Sequence, residues 1–266
     1  MSYETILYSL AGGVASITLN RPETRNALNQ AMYRELMAAF REAGRDKAVR
    51  AIILTANGKG FCSGQDLVEL ETLRQQGISI GEGLRNGLNQ LILQLRILEK
   101  PIIGALNGVA AGAGASLALA TDLRVASSEA SFVFAAFVNI GIIPDGGGTF
   151  FLPHLVGPNK ALQLAWLADA QNRVTAEQAL ALGIVNQVHP PEAFMDQALA
   201  IANKLASLPT RAIGMTKRAM YRALHVSLAD ALEYEAQVQE GAFRTHDFRE
   251  GVAAFLEKRP PQFKGE

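Results

Sequence analysis

The feature that most constrains the fold is a run of small residues shortly after an apolar strand pattern. Residues 102–106 have the composition of a buried strand bounded by turns, and Gly112-Ala-Gly-Ala-Ser116 follows them. Such a run can open a helix and lets its backbone approach neighbouring elements closely. The first-turn amides of a helix lack intrahelical partners and carry the positive end of its dipole. This junction is therefore suited to binding a negatively charged oxygen.

A second glycine-rich segment contains an isolated carboxylate. Asp145 lies within Gly141-Ile-Ile-Pro-Asp-Gly-Gly-Gly-Thr149, among residues that are otherwise apolar or small. Its apolar neighbours are expected to disfavour the charged form and raise the pKa; they are Phe134, Phe137, Ile140, Ile142 and Ile143. Asp145 has two interpretations, an acid/base group or the N-cap of a helix that begins at Gly146.

Strand and helix patterns alternate over most of the chain, which indicates an α/β fold with mainly parallel pairing. The patterns predict strands over residues 17–20, 51–55, 102–106 and 123–126, and helices over 30–46, 83–98 and 113–120. Strands stop after about residue 190, and amphipathic helices are predicted over 192–208, 210–222 and 227–245. An earlier helix is predicted from the capping box Thr175-Ala-Glu-Gln178.

Composition argues against several classes of function. The 25 basic and 25 acidic residues balance, so no overall positive field favours nucleic acid or an anionic membrane. No apolar run reaches the ~18 residues of a membrane span, and the N-terminus lacks a signal-peptide pattern. Cys62 is the single cysteine and no histidine pair has metal-ligand spacing, so we expect neither a disulfide nor a metal. These observations predict a cytoplasmic globular protein.

The glycine-rich segments do not fit the common nucleotide-binding motifs. The run from Gly112 places Leu117 where a dinucleotide fingerprint requires Gly or Ala, and Gly146-Gly-Gly-Thr149 lacks the lysine of a phosphate-binding loop. A different use is open to them. One amide from residues 62–66 and one from 112–114 can converge on a carbonyl oxygen as an oxyanion hole. The other interpretation is that these glycines only permit tight turns and close packing.

Five segments together resemble the signatures of the crotonase (enoyl-CoA hydratase/isomerase) superfamily, in order along essentially the whole chain. They are Asn20-Arg-Pro-Glu-Thr-Arg-Asn-Ala-Leu28, Gly60-Phe-Cys-Ser-Gly-Gln-Asp-Leu67, Asn107-Gly-Val-Ala-Ala-Gly-Ala-Gly114, residues 141–149, and the tail from Glu250 to Phe263. The resemblance implies a spiral core of repeated ββα units over residues 1–195 and a C-terminal helical trimerisation region over 196–266. It also implies trimers or hexamers, an acyl-CoA thioester substrate, and no cofactor beyond the coenzyme A of that substrate.

The resemblance also assigns site residues. Its two oxyanion amides fall on Gln65 and Ala113. Positions that line the coenzyme A or the substrate in relatives fall on Arg25, Ala27, Ser63, Asp66, Leu67, Gly112, Phe137, Phe255 and Lys258. For Arg25 and Lys258 a solvated surface charge is the competing interpretation, and for Asp66 it is a hydrogen bond to nearby backbone.

The acidic positions indicate which reaction to expect. The two glutamates that activate water in the family's hydratases correspond here to Ser116 and Phe137, which disfavours hydration. Asp145 matches the acid of the family's dienoyl-CoA isomerases and of its isomerases for ring epoxides of phenylacetyl-CoA, and the motifs are most similar to the latter. We therefore expect a CoA-thioester isomerase of lipid or phenylacetate catabolism. The alternatives are a hydratase, a dehalogenase with Asp145 as nucleophile but no histidine before His154, and a non-catalytic acyl-CoA-binding protein.

Overall fold

The computed structural model describes residues 3–266, so Met1 and Ser2, which begin the N-terminal stretch considered above, lie outside it. In chain order the strands are β1 (Ile6–Ala11), β2 (Val14–Leu19), β3 (Ala51–Ala56), β4 (Gly60–Cys62), β5 (Ile102–Leu106), β6 (Val109–Ala111), β7 (Leu123–Ser127), β8 (Ser131–Val133), β9 (Val174–Thr175) and β10 (Gln187–His189). The helices are α1 (Gln30–Arg45), α2 (Leu67–Gln75), α3 (Ile80–Asn86), α4 (Leu88–Ile97), α5 (Ala113–Ala120), α6 (Gly148–Val156), α7 (Pro158–Leu167), α8 (Ala176–Ala181), α9 (Phe194–Ser207), α10 (Thr210–Ala223), α11 (Leu228–Phe243) and α12 (His246–Glu257).

The strands form two sheets. The larger has six strands in the order β1-β2-β3-β5-β7-β10, and the smaller has four in the order β4-β6-β8-β9. The hairpin of β1 and β2 is antiparallel, with Gly12 and Gly13 at positive φ in its two-residue turn, and every later pair of the large sheet is parallel. Successive strands β3/β4, β5/β6 and β7/β8 go alternately to the large and the small sheet. This alternation is the repeated ββα arrangement that the resemblance predicts.

Helix α5 lies in the core of this arrangement, where all eight of its residues are buried. Its residues are small or apolar on every face, which suits a helix enclosed on all sides. A Cβ added at Gly114 would lie 2.3 Å from the Cys62 carbonyl oxygen and 2.7 Å from the Cys62 Sγ. Glycine is therefore required here, because it lets α5 contact β4 directly and fixes the position of the first turn of α5.

The predicted elements are present with small differences at their ends. Helix α5 has the predicted bounds, and α8 begins with the predicted capping box. The prediction of one continuous helix over 83–98 is wrong. Gly87, whose ψ of −99° is not helical, divides the segment into α3 and α4. The Tyr33 ring occupies the break, since a Cβ at Gly87 would lie 3.2 Å from its Cδ2.

After β10 the chain is helical, as predicted. The expected boundary between residues 195 and 196 falls inside α9, whose alanines Ala198, Ala202 and Ala206 pack on the large sheet. Because these alanines contact the large sheet, α9 is packed as part of the core. Helix α10 is held to the core by Lys217, whose Nζ lies 2.8 Å from the Asp122 carboxylate. Within residues 3–266 the structure contains no helix of the length and apolarity that a membrane crossing requires.

Candidate active site

A cavity of about 560 Å³ opens beside the first turn of α5. Helices α1 to α4, the turn after β4, and the segment that leads into α6 form its walls. Its lining residues are Gln30, Tyr33, Ser63, Gly64, Gln65, Leu67, Leu70, Glu71, Leu73, Arg74, Ile78, Ser79, Ile80, Gly83, Leu84, Leu88, Gly112, Ala113, Ala136, Phe137, Ile140, Ile142 and Asp145. The structure thus brings together three of the five motif segments, residues 60–67, 107–114 and 141–149.

The backbone N–H of Gln65 is left without a protein partner by the way its neighbours are bonded. Leu28 pairs with Gln65 as an isolated parallel bridge, in which the Leu28 N–H donates to the Gly64 carbonyl at 2.7 Å and the Asp66 N–H donates to the Leu28 carbonyl at 2.9 Å. In a parallel bridge the flanking peptides take these bonds, so the N–H of the central residue points to the other side. Within residues 3–266 the Gln65 N–H donates to no other group.

The second free amide belongs to Ala113, the first residue of α5. Its N–H precedes the intrahelical hydrogen-bond series, and it too has no acceptor in the described part of the chain. The turn that carries Gln65 packs on this helix start, since a Cβ at Gly64 would lie 3.4 Å from the Ala113 nitrogen. Gly64 and Gly112 both have positive φ, +101° and +51°, which favours glycine at each position. Two unpaired amides therefore border one cavity, as an oxyanion hole requires.

Asp145 faces this cavity as a partly buried carboxyl group. Its Oδ1 is buried and has no hydrogen-bond partner. Burial raises the pKa of Asp145 to about 6, with a smaller opposing effect from its own backbone N–H. The N-cap interpretation is wrong: α6 begins at Gly148, its N-cap is Gly147, and no side chain caps it. The Asp145 side chain therefore does not cap the helix, and its Oδ1 is free to bind a ligand.

The apolar surroundings of Asp145 differ in part from the prediction. Phe137 and Ile142 line the cavity, and Ile140 lies at its rim with 52% of its surface exposed. Phe134 is outside the lining and stacks on Phe132 in the core, with ring centroids 5.5 Å apart. Ile143 is 77% exposed and also lies outside the lining. Two of the five predicted neighbours thus lie outside the cavity wall, in a segment that forms short 3-10 helices over Phe134–Ala136 and Val138–Ile140 and has a left-handed residue at Gly141.

Tyr33 is a member of the site that no sequence motif indicates. It is 2% exposed, lies on the buried face of α1, and donates a 2.5 Å hydrogen bond from its hydroxyl to the Gln65 side-chain Oε1. Burial raises the pKa of Tyr33 well above its usual value, and the nearby Asp145 is one of the smaller contributors. The one sequence feature that points to Tyr33 is its place on the apolar face of an amphipathic helix, where a buried hydroxyl needs a hydrogen-bond partner.

The structure divides the sequence-predicted binding residues into two groups. Ser63, Leu67, Gly112 and Phe137 line the cavity together with Gln65, Ala113 and Asp145. The others do not line it. They are Arg25, which is exposed in the left-handed region, the buried Ala27, Asp66, and the exposed Phe255 and Lys258 at the end of α12.

Asp66 has a local structural contact, in agreement with its second interpretation. Its Oδ1 accepts from the Glu69 N–H and caps α2, and its Oδ2 pairs with Arg21 at 3.1 Å. The four histidines also lie outside the cavity lining, and His154 and His225 both pack on the Phe150 ring. Among residues 3–266 no three His, Cys, Asp or Glu side chains are grouped as metal ligands.

The sequence matches the enoyl-CoA hydratase/isomerase family profile over residues 9–266. A protein named "Probable enoyl-CoA hydratase" from Rhodobacter capsulatus is 43% identical over 265 residues, with 100% of both chains covered. The 1,2-epoxyphenylacetyl-CoA isomerase of Escherichia coli is 42% identical over 264 residues, covering 98% of this chain and 99% of the relative. The crystal structure of an enoyl-CoA hydratase from Bacillus anthracis superposes with a TM-score of 0.88 at 34% identity, covering 99% of this chain and 100% of that one. In sequence and in fold, the chain belongs to the enoyl-CoA hydratase/isomerase, or crotonase, family of enzymes.

Proposed function

We propose that the protein is an acyl-CoA isomerase in which Asp145 moves a proton between two carbon atoms of a thioester substrate. The observation that carries the proposal is the unpaired, partly buried Asp145 carboxyl group in the same cavity as the unpaired amides of Gln65 and Ala113. A carboxyl group with a pKa of about 6 can both accept and return a proton near neutral pH. No separate cofactor is needed for this chemistry, since coenzyme A belongs to the substrate.

The steps balance with one acid and two amides. The Asp145 carboxylate removes a proton from C2 of a 3-enoyl thioester, and the C–H electron pair moves toward the thioester oxygen. The amides of Gln65 and Ala113 stabilise the negative charge on that oxygen. The protonated Asp145 then delivers its proton to C4, the electrons return, and the double bond lies between C2 and C3. For a substrate with a ring epoxide attached at C2, Asp145 likewise removes a C2 proton to form the enolate and returns that proton to a ring carbon, so the net change is again an isomerisation.

Isomerisation is favoured over hydration because the cavity lacks a second acid suited to activating water. Ser116, at one hydratase position, is 2% exposed and lies outside the cavity lining, and Phe137 stands at the other. The remaining carboxylate of the lining is Glu71, an exposed residue at the mouth. Hydrogen bonds from Arg74 and then Gln75 lower the pKa of Glu71 to about 2, so it is a poor base.

For the substrate we propose an acyl-CoA with a 3-enoyl chain or a ring epoxide of phenylacetyl-CoA. The E. coli relative is named for the second activity, and the largely apolar cavity suits either acyl group. The hydratase name of the R. capsulatus relative makes hydration the second candidate. We assign coenzyme A contacts to Arg25, Ala27, Phe255 and Lys258, as the family resemblance implies, and acyl contacts to Ser63, Leu67, Gly112 and Phe137, which line the cavity.

We also propose that the C-terminal helices form the contacts of a trimer or a hexamer. Several of their large apolar side chains are exposed in the single chain, namely Leu228, Leu232, Phe243, Phe255 and Leu256. Burial of such side chains between subunits would remove them from water. Light scattering coupled to size-exclusion chromatography tests this, and a monomer at micromolar concentration contradicts it.

The deciding experiment is proton NMR in heavy water with 3-hexenoyl-CoA and, separately, crotonyl-CoA. We expect movement of the double bond with deuterium uptake, and a loss of about 100- to 10,000-fold in rate for Asp145→Asn. Asp196→Asn, which changes an exposed carboxylate at the start of α9, is the matched control and keeps the wild-type rate. Circular dichroism verifies that both variants are folded.

Three results contradict the proposal. Full activity in a folded Asp145→Asn variant removes the proposed acid/base. Hydration of crotonyl-CoA without isomerisation identifies a hydratase. Binding of both thioesters and of phenylacetyl-CoA, with no deuterium exchange in any of them, identifies a non-catalytic acyl-CoA-binding protein.

A further inference from the structure

The Tyr33 hydroxyl and the Gln65 carboxamide form a hydrogen-bonded pair in the inner wall of the cavity. Their 2.5 Å bond joins α1 to the turn after β4, and both residues belong to the lining. Apart from Asp145, the other polar side chains of the lining lie nearer its mouth: Ser63, Glu71, Arg74 and Ser79 are exposed, and Gln30 is partly exposed. The pair is therefore a polar patch within apolar surroundings.

The bond determines which way the Gln65 carboxamide points. The Tyr33 hydroxyl has one proton, which it donates to Oε1. The Gln65 Nε2 therefore points away from Tyr33, and its two N–H groups have no acceptor within residues 3–266. An apolar cavity with an unpaired amide donor is a poor site for a purely hydrocarbon ligand, because the donor stays unsatisfied when water leaves. A ligand with an oxygen at this place satisfies it.

The location of the pair limits which part of the substrate it can meet. The carboxamide belongs to the residue whose backbone N–H is a proposed oxyanion donor. The distance between the carboxamide and the thioester oxygen is thus about the length of one glutamine side chain. The group that meets Nε2 is for this reason within the first few atoms of the acyl chain, on the same side of the cavity as Tyr33.

We propose that Tyr33 and the Gln65 side chain form a subsite for a hydrogen-bond-accepting oxygen carried by the acyl group close to the thioester. The oxygen of a ring epoxide or of an ortho-hydroxyl group on an aryl ring has this chemistry. Tyr33 is the positioning residue that orients the carboxamide, and Nε2 is the donor. The inference deepens the proposed function and rests on it for the placement of the thioester.

A binding experiment tests the subsite without relying on turnover. Isothermal titration calorimetry compares phenylacetyl-CoA with 2-hydroxyphenylacetyl-CoA, which differ by one ring oxygen. We expect the wild-type protein to bind the hydroxylated ligand about tenfold more tightly, the gain of one hydrogen bond to a desolvated donor. Tyr33→Phe and Gln65→Met are expected to reduce that preference to about twofold or less.

The control is Tyr8→Phe, which removes a buried hydroxyl that has no hydrogen-bond partner and lies outside the cavity lining. It retains the tenfold preference. Equal affinities of the wild-type protein for the two ligands overturn the proposal, as does a preference that survives in both folded site variants. Neither ligand needs to be isomerised, so this result is separate from the heavy-water test of Asp145. A catalytically inactive protein with the expected preference would contradict the proposed reaction and leave the subsite standing.

Discussion

The Ser116 hydroxyl donates a 2.7 Å hydrogen bond to the carbonyl oxygen of Asp145. The Gly148 N–H donates to the same carbonyl at 2.9 Å, so two bonds fix the peptide that carries the candidate acid. Ser116 lies in the first turns of α5, three residues after the Ala113 amide. The bond thus joins the helix of one proposed oxyanion donor to the segment of the proposed acid, and we infer from it a positioning role for Ser116.

Removal of this hydroxyl is expected to reduce the rate more than it reduces binding. Ser116→Ala leaves Gly148 as the remaining donor to the Asp145 carbonyl, so the segment loosens without unfolding. We expect a loss of about 1 kcal/mol in the free energy of unfolding, and a kcat about tenfold lower with KM little changed, since misplacement of a proton-transfer group acts on the chemical step. Urea denaturation and steady-state kinetics measure the two effects.

The matched control for this variant is Ser207→Ala. The Ser207 hydroxyl also donates to a backbone carbonyl, that of Lys204 at 2.8 Å, but it is exposed and distant in the fold from the cavity lining. We expect wild-type kinetics from it. An increase in KM with unchanged kcat in Ser116→Ala would mean that Ser116 serves substrate binding, against the role inferred here.

The raised pKa of Asp145 predicts how activity depends on pH. Burial disfavours its charged form and moves the pKa from 3.8 to about 6, so the carboxylate that accepts the proton forms only as the pH rises through about 6. We expect kcat/KM to increase with pH between 5 and 7 and to be about tenfold below its plateau at pH 5. The measurement is the initial rate of isomerisation across this range, with circular dichroism at pH 5 to verify the fold. A rate that stays constant from pH 5 to 7 contradicts the assignment of Asp145 as the base.

The elements that could be predicted from the sequence are those whose local pattern agrees with their final environment. The sequence predicts helix α5 with the observed bounds, because its run of small and apolar residues favours a helix locally and also suits the buried place that the helix takes in the fold. Strands β3 and β5 are fully buried, and their apolar runs are visible without tertiary information. The strands of the small sheet have only two or three residues each, which is too short for a periodic pattern to register.

The site was predictable to the extent that its residues lie in recognisable motifs. Gln65, Ala113 and Asp145 line one cavity, so their three motifs meet in the fold, and the roles assigned to them stay predictions. The contact of Tyr33 with Gln65 joins residues 32 positions apart, and no local pattern encodes which core position of α1 faces the cavity. Ile143, which is 77% exposed, likewise follows a left-handed residue, Gly141 with φ +78°, so its orientation cannot be predicted from an apolar pattern.

The contact between Gly114 and Cys62 predicts a sharp loss of stability on addition of one methyl group. In Gly114→Ala the new Cβ would lie 2.3 Å from a backbone carbonyl oxygen, so α5 has to move away from β4. We expect a loss of about 3 kcal/mol or more in the free energy of unfolding, and reduced activity because Ala113 moves with the helix. Urea denaturation gives the first quantity and the isomerase assay the second.

The control substitution is Gly241→Ala in α11, where the nearest atom to the new Cβ is the Met215 Cε at 3.6 Å. This change should be neutral or stabilising by up to about 1 kcal/mol, since alanine favours a helix interior more than glycine does. If both variants changed stability equally, the close approach of α5 to β4 would not be the cause.

The buried ion pair of Lys217 and Asp122 predicts how firmly α10 is attached to the core. Lys217 also donates to the Leu95 carbonyl at 2.8 Å, and Asp122 accepts from the Tyr221 hydroxyl at 2.5 Å and the Ile102 N–H at 2.8 Å. Lys217→Met leaves the Asp122 charge without its cationic partner. We expect it to cost about 3–5 kcal/mol, measured by urea denaturation, because an unpaired buried charge is much worse than the pair.

Arg244→Met supplies the comparison, because Arg244 pairs with Glu240 at 2.6 Å while both side chains stay mostly exposed, 76% and 63%. Water and salt screen such a pair, so its loss should cost under about 1 kcal/mol. Two urea titrations on the intact protein thus compare the loss of a buried ion pair with the loss of an exposed one. Similar small losses in the two variants would mean that Asp122 is adequately stabilised by Tyr221 and Ile102 alone, and that α10 is held by its apolar face.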